Sequence, residues 1–241
     1  RRQRRPRHGS HSAWRATLGP EHTDSLCVAS DLAGLLLAEG QLGESEALCR
    51  EALSASRRSL GDDDPFTLQL IGNLTHILRA QGRFTEAEQL CREVLSRSRA
   101  ELGDRDPGTL GAIEMLALIL RELGKLTEAE PLCRELLDAR RARLGDDHPL
   151  TLSAVSLLAT LCQQQGRFAE AEPLFRETLR GRRAKLGDQH LETLSALNNL
   201  AIHLGSRGQY AEAEALSREA LVGQRATLGN AHVQTLTSIG N

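Results

Sequence analysis

The dipeptide Leu-Gly recurs along this chain at intervals of 42 residues, and this period constrains the fold more than any other feature of the sequence. Six copies in one register begin at Leu18, Leu60, Leu102, Leu144, Leu186 and Leu228. A fixed period of this length indicates a solenoid, in which each unit covers the apolar face of its neighbour. The predicted array occupies 18–241, with units 18–59, 60–101, 102–143, 144–185 and 186–227 and a partial unit 228–241.

Residues 1–17 precede the first full unit of the predicted array. They begin with the basic run Arg1–Arg7, which could be a nuclear signal or a nucleic-acid-binding arm. The segment Trp14–Gly19 matches Gln224–Gly229, so the worn second helix of a preceding repeat is an alternative. We expect a basic tail or a degenerate repeat end here, and the net charge of −2 gives no case for nucleic-acid binding by the whole chain.

Each unit contains two helical patterns. In the second unit, Asp64 is a suitable N-cap and Pro65 suits the first helical position, so a helix is predicted over Pro65–Ala80. Its apolar residues have helical spacing, and Gly82 is expected to end it in the left-handed conformation. We predict a second helix from Thr85, with a capping box at Thr85–Glu88 that recurs at Thr127–Glu130.

The turn between the two helices carries the most specific motif. Copies read Gly-Arg-Phe-Ala-Glu-Ala-Glu at Gly166–Glu172 and Gly-Gln-Tyr-Ala-Glu-Ala-Glu at Gly208–Glu214. A 42-residue period alone also fits armadillo or HEAT repeats. The motif resembles the tetratricopeptide repeat, and the longer unit with its Leu-Gly-Asp-x-His-Pro connector resembles the repeats of kinesin light chains and nephrocystin-like proteins. The resemblance implies an all-α fold, a right-handed α–α superhelix of the tetratricopeptide type with two helices per repeat.

The resemblance also implies a function: a protein-interaction scaffold or adaptor that binds partner peptides in the concave groove lined by first helices. The groove candidates are Asn73, His76, Arg79, Glu114, Met115, Arg121, Gln163, Asn198 and Asn199. Asn73 and Asn199 are expected to hold a peptide backbone, because an amide side chain both donates and accepts. Arg79 and Arg121 are expected to pair with acidic side chains.

Catalysis is not expected from this chain. The sequence contains no P-loop, GxGxxG, HExxH, GxSxG or CxxC motif, so we predict no enzyme, no cofactor and no metal site. The alternative function is a sensor or regulatory arm of a larger signalling enzyme with its catalytic domain elsewhere, and a weaker one is a structural spacer. We expect protein or peptide partners, no nucleic acid, no membrane and a cytoplasmic location, since no apolar stretch reaches a membrane-spanning length.

Cysteines, histidines and one set of charged pairs follow the repeat register. Cys49, Cys91 and Cys133 share one position with Phe175 and Ser217, which predicts a packing site. His22, His148, His190 and His232 share a connector position with Asp64 and Asp106, which predicts helix capping. Each unit also places Glu four residues before Arg, as at Glu46 and Arg50, which predicts a solvated face or an inter-repeat ladder.

Overall fold

The computed structural model describes residue 19 and residues 21–228, and this part of the chain contains ten α-helices and no β-strand. The helices are α1 (Thr23–Ala38), α2 (Leu42–Ser59), α3 (Pro65–Ala80), α4 (Phe84–Leu102), α5 (Pro107–Glu122), α6 (Leu126–Leu144), α7 (Pro149–Gln164), α8 (Phe168–Leu186), α9 (Leu191–Ser206) and α10 (Tyr210–Leu228). The predicted all-α repeat fold class is confirmed. None of these helices is long and apolar enough to cross a membrane.

The first helix of each pair begins where the connector supplies a side-chain cap. Asp64 Oδ1 accepts a hydrogen bond from the backbone N–H of Phe66 at 2.9 Å. His148 Nδ1 accepts from Leu150 N–H in the same way at 3.2 Å. The same geometry is found at His22, Asp106 and His190. The predicted capping role of the connector histidines is confirmed at these positions, and His232 lies outside the described residues.

The capping box predicted at Thr85–Glu88 is wrong. The second helix of this repeat begins one residue earlier, at Phe84. Gly82 takes φ +75°, and Arg83 N–H donates to the carbonyl of Leu78 at 2.9 Å, which closes a Schellman turn at the end of α3. Arg83 is then the N-cap of α4 without a side-chain cap bond, and Thr85 lies inside the first turn. The glycine turn therefore sets where the second helix begins, and no hydroxyl is required there. Lys125, the N-cap residue of α6, likewise makes no side-chain cap bond.

The helices form two compact units, with α1 to α5 in residues 21–123 and α6 to α10 in residues 124–228. In the first unit, α1 packs against α2 and α3, α2 against α3, and α4 against both α3 and α5. In the second unit, α7 packs against α6 and α8, and α9 against α8 and α10. Leucine and alanine supply most of both cores, and buried isoleucines add to the core of the first unit, in keeping with the low aromatic content of 2%.

The recurring cysteines are packing residues, as predicted. Cys49, Cys91 and Cys133 are buried and form no disulfide. The Cys49 thiol donates to the carbonyl of Leu70 at 3.5 Å, and the Cys91 thiol donates to the carbonyl of Ala112 at 3.4 Å. Burial raises the pKa of Cys49 and of Cys91 to about 12, so both stay protonated at neutral pH.

The predicted Glu and Arg pairs form on all five second helices. They are Glu46–Arg50, Glu88–Arg92, Glu130–Arg134, Glu172–Arg176 and Glu214–Arg218. Arg50 of α2 also bonds Glu86 of α4, and Arg176 of α8 lies 2.8 Å from Glu212 of α10. The pairs therefore continue as a ladder from α2 to α4 and from α8 to α10.

Glu46 of α2 is held in this ladder by three side-chain hydrogen bonds. It accepts hydrogen bonds from Gln81 Nε2 at 2.8 Å, Arg50 Nε at 2.8 Å and Arg83 Nη1 at 2.7 Å. Burial alone would raise the pKa of Glu46, but the bonds from Gln81, Arg50 and Arg83 outweigh it and lower that pKa to about 2. Because the folded pKa is depressed, the ionised carboxylate stabilises the fold above its ordinary pKa.

We expect Glu46→Gln to lower the free energy of unfolding at pH 7 and to cost less as the pH falls from about 4.5 toward 2. Urea unfolding of the parent and the variant at pH 7 and pH 3 measures the difference. Glu44→Gln, at an exposed position of the same helix, is the matched control and should leave stability almost unchanged at both values. An equal cost of Glu46→Gln at pH 7 and pH 3 would contradict the assigned role.

Candidate functional site

A cavity of about 330 Å³ opens between α3 and α5 in the first unit, with α4 as its floor. Its lining is mostly apolar, and polar side chains of α3 stand among the lining residues. These residues are Pro65, Leu68, Gln69, Gly72, Asn73, Thr75, His76, Cys91, Val94, Ser98, Leu102, Gly108, Gly111, Ala112 and Met115. The size lies at the lower end of the range for ligand pockets, which is about 300–1,000 Å³. It suits one large side chain or a small molecule.

Glycines on two neighbouring first helices contribute to this space. Gly108 of α5 occupies the repeat position that Phe66 and Leu150 fill in the flanking repeats. Gly111 follows one turn later, and Gly72 lies on the facing helix α3. A Cβ atom added to Gly72 or Gly111 meets no heavy atom within 4 Å. These glycines therefore leave room that a larger side chain, from this chain or from a ligand, can occupy.

Three of the predicted groove residues line this cavity: Asn73, His76 and Met115. Asn73 Nδ2 donates to Ser30 Oγ of α1 at 3.0 Å, so this amide also ties α3 to α1. His76 is exposed, and Met115 is 8% exposed. Partial desolvation, with a smaller effect of the Arg79 charge, lowers the pKa of His76, so the imidazole is mostly neutral at pH 7.

The other three candidates of the first unit are not among the residues that line the cavity. Arg79 and Glu114 lie close enough to act on the charge of His76 in opposite directions. The Nε atom of Arg79 is buried and has no hydrogen-bond partner among the described residues. Arg121, one repeat later, lies 2.6 Å from its own neighbour Glu122. Arg121 is thus already next to a carboxylate, which leaves Arg79 the better placed of the two to receive an acidic group.

The second unit contains the remaining candidates, Gln163 on α7 and Asn198 and Asn199 on α9. All three are partly exposed. Gln163 Oε1 lies 3.0 Å from Nδ1 of the buried His203, so its oxygen is used inside the protein. The roles of Asn198 and Asn199 in ligand binding stay predictions.

Sequence reasoning missed most of the cavity. It placed Asn73, His76 and Met115 in the groove but did not identify Gly108, Leu68 or Val94 as parts of one site. Alignment of the repeats contains one usable signal, because Gly108 replaces a large apolar residue of two other repeats. No group of three or more His, Cys, Asp or Glu residues in the described part of the chain could hold a metal ion.

The sequence model of the tetratricopeptide repeat family matches residues 24–100, 109–184 and 154–226. These segments span most of the chain, and the chain therefore belongs to the tetratricopeptide repeat (TPR) family. A search of curated proteins finds no match. The assignment to this family agrees with the motif at the turn between the two helices of each repeat.

Comparison with solved structures shows the same fold. The nearly identical TPR-like repeats of a kinesin light chain-type protein from Podospora anserina share 24% identity at a TM-score of 0.73, over 86% of this chain and 97% of that chain. BtubC (BKLC) from P. vanneervenii shares 22% at 0.71, over 92% and 87%. NprR, in complex with its cognate peptide NprX, shares 12% at 0.70, over 96% and 64%. The resemblance to kinesin light chain-like repeats is thus confirmed.

Proposed function

We propose that this chain is a protein-interaction scaffold that binds partner peptides on its first helices, and that the cavity between α3 and α5 receives an uncharged, apolar side chain of the peptide. Membership of the TPR family supports the scaffold. The fold shared with NprR, which was solved with a bound peptide, is compatible with peptide binding. The cavity carries the more specific part of the proposal.

The lining of the cavity favours an apolar occupant. Leu68, Val94, Leu102 and Met115 supply hydrocarbon surface, and none of the lining residues carries a full charge at neutral pH. A charged side chain would lose its hydration there without gaining an opposite charge. An apolar side chain would gain about 1.5–3 kcal/mol from burial. The walls therefore select against charge.

The rim provides groups that can orient a peptide. The oxygen of the Asn73 side chain can accept a hydrogen bond while its nitrogen donates to Ser30. Arg79 is partly exposed and can pair with a carboxylate that flanks the apolar anchor. Such a partly exposed pair contributes at most about 1 kcal/mol. Burial of the apolar side chain in the cavity is therefore expected to contribute more to the affinity than the ion pair with Arg79.

Filling the cavity tests this proposal. Peptides selected on the full chain from a random peptide-display library should bind Gly111→Leu about ten- to a hundredfold more weakly than the parent, because the new side chain occupies the space of the anchor. Gly43→Leu is the matched control: Gly43 is an exposed glycine of the second helix α2, and an added Cβ there meets nothing within 4 Å. It should bind like the parent.

Isothermal titration calorimetry measures the affinities, and circular dichroism verifies that both variants keep the parent's helix content. Equal affinity of parent and Gly111→Leu for every selected peptide would overturn the assignment of the cavity. If variants of the second helices then lost affinity, the binding surface would be assigned to the Glu and Arg ladder instead.

A further inference from the structure

His203 of α9 interrupts an otherwise apolar column of the repeat. The equivalent residues of the other first helices are Leu35, Ile77, Ile119 and Leu161. The His203 side chain is 0% exposed, as deeply buried as Ile119 and Leu161. A titratable imidazole therefore stands at a position where the other repeats place hydrocarbon.

The surroundings of His203 satisfy only one of its two ring nitrogens. Nδ1 lies 3.0 Å from Gln163 Oε1, and because that carbonyl oxygen only accepts, Nδ1 carries the hydrogen. Nε2 is buried and has no hydrogen-bond partner among the described residues. The ring packs against Phe175 and Phe168, with centroids 5.2 Å and 6.0 Å away. Protonation at Nε2 would thus place a buried N–H donor and a positive charge among groups that do not accept it.

The charges around His203 come from two elements. Glu172 of α8 favours the protonated imidazole, whereas Arg176 of α8 and Arg207 at the end of α9 oppose it. From α7 the facing polar group is the neutral Gln163, and α10 contributes none of the charges that act on the ring. Desolvation is the largest effect and lowers the pKa of His203 below its ordinary value of 6.5.

We propose that His203 makes the helix pair α9 and α10 a pH-sensitive element, which opens when mild acid protonates the imidazole. The open form exposes His203 to water and gives Nε2 the hydrogen-bond partner that the closed form lacks. Asn198 and Asn199 lie on α9, so opening would also disrupt any ligand bound there; this consequence alone rests on the proposed function. The structural part of the proposal is independent of peptide binding.

The sign follows from proton linkage. The imidazole of the open form titrates near 6.5, and that of the closed form titrates lower. Opening therefore takes up a proton between these values, and the closed form loses stability as the pH falls through this window. For one proton, the equilibrium constant for opening rises at most about tenfold for each pH unit. Above pH 6.5 the constant should not depend on His203 protonation.

Hydrogen exchange of the full chain tests whether α9 and α10 form this pH-sensitive element. In the parent, exchange corrected for its intrinsic pH dependence should rise severalfold in peptides of α9 and α10 between pH 7 and pH 5.5. His203→Leu, which restores the residue type of the other repeats, should abolish this rise. His190→Asn is the matched control, since it removes the histidine that caps α9 but keeps an N-cap residue, and it should behave like the parent.

An NMR titration of the parent gives a second test that does not depend on the folding of the variants. The imidazole of His203 should titrate below 6.5 while the chain stays folded. A midpoint at or above 6.5, or the same acid-induced exchange in the parent and in His203→Leu, would overturn the proposal.

Discussion

Replacing Ala171 with leucine is expected to lower the free energy of unfolding by about 1–3 kcal/mol, because the larger side chain overpacks a closed interior. Ala171 lies on α8 and is 0% exposed. The equivalent residue of α2 is Ser45, whose hydroxyl donates to the carbonyl of Ala33 at 2.7 Å. Second helices at this repeat position therefore approach the backbone of the first helix too closely for a long side chain.

Ala169→Leu is the matched control for this substitution. Ala169 lies two residues earlier on the same helix and is exposed, so the same change should alter stability by no more than about 0.5 kcal/mol. Urea unfolding followed by circular dichroism measures both variants. If the two substitutions cost the same, Ala171 is not the site of close helix packing and the register of α8 would need revision.

A second large effect is expected at Gly181 of α8. A Cβ atom added there would lie 2.6 Å from Cδ2 of Leu152, which is itself only 1% exposed and has little room to move. Overpacking of this kind costs about 1–3 kcal/mol, and the better helix propensity of alanine offsets only about 0.5–1 kcal/mol of it. Gly181→Ala is therefore expected to be destabilising.

The same substitution should have the opposite sign at Gly72. An added Cβ meets nothing within 4 Å there, so Gly72→Ala should gain the propensity term of about 0.5–1 kcal/mol. The comparison separates packing from propensity, because both residues lie inside helices. Thermal or urea unfolding that finds both variants stabilised would show that Leu152 yields easily, and the described packing of α7 on α8 would be wrong.

Much of the fold could be predicted from the sequence, because the signals for helix starts and for the repeat period recur in several repeats. The six Leu-Gly copies fix the period, and Asp64 with Pro65 fixes the start of a first helix to the residue. The start of the second helix was predicted at Thr85, and it lies at Phe84. A threonine followed by glutamate looks like a cap in the sequence, but a Schellman turn satisfies the preceding backbone groups and makes that cap unnecessary.

The candidate site was less predictable, because the cavity exists where a glycine replaces a large side chain as well as where particular side chains are present. The polar candidates Asn73 and His76 could be placed on the groove side of α3 by family geometry. The cavity beside them depends on Gly108 and on how α4 packs beneath two first helices. His203 was missed for a similar reason: its burial depends on Phe175, which lies 28 positions earlier and contacts it only after α8 and α9 pack.

A structure of the full chain with a selected peptide tests the central claim most directly. The account predicts an apolar peptide side chain inside the cavity between α3 and α5, beside Gly111 and above Val94. It also predicts the peptide backbone within hydrogen-bond distance of the Asn73 side chain. A peptide bound to the outer faces of α2 and α4 with the cavity empty would contradict it.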